Sequence, residues 1–217
     1  MNAQPDEKIN NPLGLIEDDH CWQLVLCDAL ENIADQLPTT IDPRLYALTS
    51  EVLKKVICHH NTMEEEALFP VILKHLDAES NLRNAFAQLK IEHETDGEHA
   101  LEIAHELDRI AAGGLMANPE MIGYMLRGFF ESLRRHIHWE NQTILPLAHD
   151  LLSQNDLNSI SNWITHHPET FRCSRLLKEL GRHIGHRDCP YQVPHIPKPE
   201  CSGKIKDCRD TPSNDNI

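Results

Sequence analysis

The chain has 217 residues, a formal net charge of −14 and a pI near 5.4, with 40% hydrophobic residues, 5% aromatic residues and 9 glycines. That length carries one well-cored domain plus an extension, the acidity excludes general binding to a nucleic-acid backbone, and the low glycine and aromatic contents favour helix over sheet. No apolar run reaches the roughly 18 residues of a transmembrane helix, and the polar N-terminus has no signal-peptide core, so no membrane partner and a cytoplasmic location are expected.

Four long segments read as amphipathic helices. The first runs from about Leu13 to Leu37, where Pro38 stops it. Its apolar stripe passes through Ile16, Leu24, Cys27 and Leu30, and His20 falls on that stripe. The second opens at Asp42-Pro43, a capping residue followed by proline at the first helical position. Its stripe continues through Val52, Val56, His60, Glu64 and Ala67. The third opens near Glu79-Ser80, carries Phe86, Leu89, His93 and Ala100, and ends at Gly113-Gly114. The fourth opens at Asn118-Pro119 and carries Leu126, Phe129, Leu133, His136 and Glu140 at steps of three and four. Long helices joined by short loops predict an all-α fold, an up-down antiparallel four-helix bundle over 13–152. Residues 153–189 predict a short helical extension, with helices around 157–165 and 168–180. Residues 190–217, rich in Pro, Cys, Lys and Asp, predict an irregular tail.

Two segments repeat one pattern. His60-x3-Glu64 is followed by Leu68-Phe69-Pro70, and His136-x3-Glu140 by Ile144-Leu145-Pro146. Residues i and i+4 share a helix face, so imidazole and carboxylate reach one point from one helix. A lone histidine on an apolar stripe is more often a hydrogen-bonded core residue, and a single His-x3-Glu pair is usually solvated. Two matched pairs on core-facing stripes are another matter. Burying them without a partner is costly, and a cation is the natural compensation. Imidazole with carboxylate suits iron, manganese or zinc, and two carboxylates from different helices suit a binuclear site. His20 and His93 complete a metal-ligand set of His20, His60, Glu64, His93, His136 and Glu140. His59 and His138 adjoin these positions but are expected on solvated faces, and Glu65 and Glu66 are expected to be surface carboxylates.

At these residues the sequence resembles the hemerythrin family, in its HHE cation-binding branch: Asp-Asp-His20, His60-x3-Glu64 with Leu-Phe-Pro, Glu-His93, and His136-x3-Glu140 with Ile-Leu-Pro stand in the family order. The resemblance covers about residues 13–150. It implies two non-haem iron ions bridged by the carboxylates and an oxo or hydroxo group, and chemistry with oxygen, peroxide or nitric oxide. Oxygen-carrying hemerythrins have a fifth histidine one turn from the third-helix ligand; the two candidate slots here are Leu89 and Gly97. The four-His, two-Glu set is similar instead to that of di-iron proteins linked to repair of iron–sulfur clusters, though their cysteine-containing N-terminal domain has no counterpart in residues 1–12. The expected function is to sense or process a small oxidant, in stress response or iron–sulfur repair. The alternative is a redox-gated interaction module that signals through the C-terminal extension. No Ser, Cys or Lys constellation suggests another nucleophile, and the sequence leaves enzyme and sensor both open.

Seven cysteines with no export signal are expected to be reduced thiols. His183-x2-His186-x2-Cys189, with Cys201 and Cys208, forms a weaker Cys/His cluster whose spacing fits no strong zinc pattern.

Overall fold

The computed structural model describes residues 10–191, all of whose regular elements are helical. We label the helices α1 (Pro12–Gln36), α2 (43–73), α3 (Leu82–Ala111), α4 (119–151), α5 (Gln154–His166) and α6 (Glu169–His183). The first four form the expected bundle, with α1 beside α4 and α2, and α3 beside α2 and α4.

The starts are set by side-chain caps. Asn11 accepts from the Gly14 N–H, Asp42 from Arg44 and Leu45, and Asn118 from Met121, each with a proline at the first helical position where no intrahelical donor is lost. Ser153 and Asp156 close a reciprocal capping box at the start of α5. Gly113, with φ of 86°, supplies the left-handed residue after α3.

Helices α2 and α4 continue through Pro70 and Pro146. A proline inside a helix lacks a donor and crowds the carbonyl four residues back. Both helices absorb this with a wider π-turn, over Glu64–Leu68 and Glu140–Ile144. The N–H of Phe69 bonds to the carbonyl of Glu64, and that of Leu145 to Glu140. Both of these turns therefore start at a motif carboxylate, a common placement at functional sites, whereas a further π-turn of α2, over Leu53–Ile57, does not.

The core is divided in two. One apolar cluster takes α1 from Trp22 onward, α2 up to Ile57, α3 from Ala100 and α4 up to Ile137. The other takes Leu13 and Ile16, α2 from Met63, Phe86 and Leu89, and α4 from Ile144. The motif histidines and glutamates lie in the layer between them. Ile160 and Ile164 of α5 join the second cluster, whereas Cys173, Leu177 and Leu180 of α6 join the first. Helix α6 packs on α1 and α2. Gly181 permits the approach: a Cβ there would lie 2.4 Å from the buried Trp22 ring.

One expectation is corrected. Cys21 and Cys189 form a disulfide, while Cys27, Cys58 and Cys173 are free. Packing of α6 along α1 brings together two thiols that are 168 residues apart in sequence. Two members of the weaker Cys/His cluster are engaged elsewhere: Cys189 is bonded to Cys21, and His183 pairs with Asp42 at 2.9 Å. Cys201, Cys208 and the tail from 192 lie outside the described residues. Among those described, no helix is long and apolar enough to cross a membrane.

Candidate metal centre

The bundle brings all six motif residues to one buried layer. His20, Glu64 and Glu140 are fully buried, and His60, His93 and His136 nearly so. The Nε2 atoms pair as His20 with His60 at 3.1 Å and His93 with His136 at 3.2 Å.

Each carboxylate divides its oxygens between the two pairs. Glu64 Oε1 lies 3.6 Å from both His20 and His60 Nε2, while its Oε2 lies 3.4 Å from His93 Nε2. Glu140 Oε2 lies 3.3 Å from His20 Nε2, while its Oε1 lies 3.2 Å from His136 and 3.9 Å from His93. Two overlapping donor sets result: His20, His60, Glu64 and Glu140, and His93, His136, Glu64 and Glu140. All four oxygens of the two glutamates are buried without a hydrogen-bond partner. Leaving such groups unpaired costs about 1–3 kcal/mol each, more when charged. Nitrogen and oxygen donors converging on two points, with orphaned carboxylates between them, fit two divalent cations.

Protonation offers the metal-free protein a partial substitute. Burial works against the charged form of His20, but the adjoining carboxylates of Glu140 and Glu64 outweigh it and hold the imidazole well above its usual value. Burial likewise opposes His136, yet the charge of Glu140 raises it to about 9. Burial would raise Glu140, and the His136 charge overrides it and holds the carboxyl well below its usual range. Protons and a metal ion therefore compete for the same atoms.

A further shell surrounds the six. His20 Nδ1 meets Asn141 at 2.7 Å, and His93 Nδ1 meets Glu65 at 2.9 Å. His60 Nδ1 faces Asp19 at 3.9 Å, and His136 Nδ1 faces Glu92 at 3.5 Å. Glu65 is thus no ordinary surface carboxylate. His59 is half-buried, bonded to Thr170 at 2.7 Å and stacked on Trp163, where a solvated face was expected; His138 is exposed as expected. Of the candidate fifth-histidine slots, Leu89 is buried in the second apolar cluster, and Gly97 borders a 580 Å³ groove that His93 also lines. A Cβ at Gly97 would meet nothing within 4 Å.

The family model of the hemerythrin HHE cation binding domain matches residues 11–148. The chain belongs to this family. Metal binding by this hemerythrin domain accords with the two donor clusters. Helices α5 and α6 lie beyond the matched residues. Neither the curated proteins nor the solved structures compared with the chain gave a match.

Proposed function

We propose that this hemerythrin-domain protein holds two non-haem iron ions, with an oxo or hydroxo bridge, and uses them to sense or process oxygen, peroxide or nitric oxide. The observation that carries the reading is the division of both carboxylates between two histidine pairs. His20 and His60 would hold one ion, His93 and His136 the other, and Glu64 and Glu140 would bridge them. Bound there, an iron pair supplies redox electrons and a coordination position for a small oxidant.

The chain's own residues favour entry of that oxidant on the His93/His136 side. Gly97 offers no side chain where a further donor would stand. The α2–α3 groove reaches His93, and a second groove of 830 Å³ between α3 and α4 reaches His136. The His20/His60 side is instead backed by α6. Asn141, Glu65, Asp19 and Glu92 orient the imidazoles by facing their Nδ1 atoms, which turns Nε2 inward. The flanking apolar clusters restrict water above and below the polar layer.

A redox-gated interaction module is the second reading, favoured by the contact of α6 with Asp19 behind His60. Steady loss of peroxide over many equivalents per chain supports processing; one stoichiometric spectral change supports sensing. An anaerobically reconstituted protein that shows neither with oxygen, peroxide or nitric oxide contradicts the small-oxidant role.

A further inference from the structure

Helix α6 lies outside the segment that matches the family, yet it reaches the layer of the metal ligands. Ser174 Oγ donates to Asp19 Oδ1 at 2.8 Å. The other oxygen of Asp19 lies 3.9 Å from His60 Nδ1, and both side chains are 4% exposed. His60 Nδ1 has no hydrogen-bond partner, although a metal on Nε2 leaves the ring proton at Nδ1. Asp19 is the carboxylate that faces this proton.

The matching position in the other half is built differently. Glu92 faces His136 Nδ1, but it is 46% exposed and its hydrogen bond comes from Gln88 on its own helix. One imidazole thus has a buried carboxylate held by a separate helix behind its Nδ1. The carboxylate at the Nδ1 of the other is solvated, and the buried Asp96 of α3 acts on that imidazole through its charge alone.

The register of α6 is fixed on both sides of Ser174. Thr170 bonds His59, Lys178 pairs with Asp18 at 3.0 Å, Gly181 seats the Trp22 ring, and Cys189 is joined to Cys21. Most of these anchors fall on residues 18–22 of α1, around His20. A serine on a helix so located is not free to swing away from Asp19.

We propose that Ser174 is a positioning residue of the metal site: from α6 it holds Asp19 behind His60, and so tunes the His20/His60 position separately from the His93/His136 position. The inference rests on the two-ion reading above. Hydrogen-bond partners of this kind raise the basicity of a ligating imidazole and fix its ring.

The test is a cobalt(II) titration of the full-length metal-free protein, followed by ligand-field absorption, with melting curves on every variant. Wild type is expected to take up two ions. Asp19→Asn should weaken one of them by about 10–100-fold, the range for such outer partners, and alter only that ion's spectrum. Ser174→Ala should weaken the same ion by a smaller factor, and Ser174→Thr, which keeps the hydroxyl, should restore it. Unchanged affinities in a folded Ser174→Ala protein overturn the inference, as does equal weakening of both ions or failure of Ser174→Thr to rescue. A wild-type protein that takes up no metal overturns the two-ion reading itself.

Discussion

The two halves of the bundle, 12–73 and 82–151, build the same half-site from the same parts. An acidic residue precedes the single histidine, as Asp19-His20 and Glu92-His93. The next helix supplies His-x3-Glu followed by a polar acceptor, as His60…Glu64-Glu65 and His136…Glu140-Asn141. In both halves the acidic residue faces the histidine of the next helix, and the acceptor reaches the single histidine of the other half. The difference lies outside. The first half is covered by α6, which buries Asp19 and gives it a donor, while Glu92 in the second half stays in solvent. A repeated inner geometry with unequal outer surroundings would give the two proposed ion positions like ligands but unlike access.

The largest effect concerns the inner geometry. His60→Ala and His136→Ala should each cost at least one of the two ions, while His138→Ala should leave the metal content unchanged. Neighbours on a helix are about 100° apart, so His138 cannot share the inward direction of His136. Metal analysis after reconstitution reads this. Equal loss at His138 would break the register.

Next comes the covering of the first half. Gly181→Leu should drive a side chain into the Trp22 ring and lower stability by about 1–3 kcal/mol, the range for overpacking. Thermal melting measures it. The matched control is Gly128→Ala on α4, where a Cβ would meet nothing within 4 Å, and it should be neutral or better.

A smaller effect concerns protons in the metal-free protein. His136 is raised from 6.5 to about 9, so the folded state holds its proton more tightly than the unfolded chain. Its contribution to stability is present in full below 6.5 and is lost as the pH rises through about 9. Melting temperature of metal-stripped protein should fall across that window. An increase there would mean that the imidazole is not charged by its carboxylate neighbours.

The inner ring was legible because its signal is local. His60-x3-Glu64 and His136-x3-Glu140 state their face by spacing alone, and His20 and His93 interrupt otherwise apolar stripes. The bundle followed from the four stripes, and α5 and α6 from the periodicity after Leu152. The outer ring was not legible. Asp19 meets His60, and Glu92 meets His136, across helices whose rotation no single helix specifies. Glu65 read as surface because it stands in an acidic run, although its partner in the repeat, Asn141, carried the hint. The Cys21–Cys189 bond depends on where α6 comes to lie, and nothing near either cysteine encodes that. Two of the π-turns were half visible, since Pro70 and Pro146 stand just after them without showing whether the helices would end there or widen; the one over Leu53–Ile57 has no such mark.

The central claim is that Glu64 and Glu140 are shared by two ions. Counting iron per chain after anaerobic reconstitution with ferrous iron, in wild type and in the double variant Glu64→Ala/Glu140→Ala, tests it directly. About two irons are expected in wild type and none in the folded double variant, because each histidine pair would lose both of its carboxylate oxygens. A double variant that keeps two irons would contradict the claim.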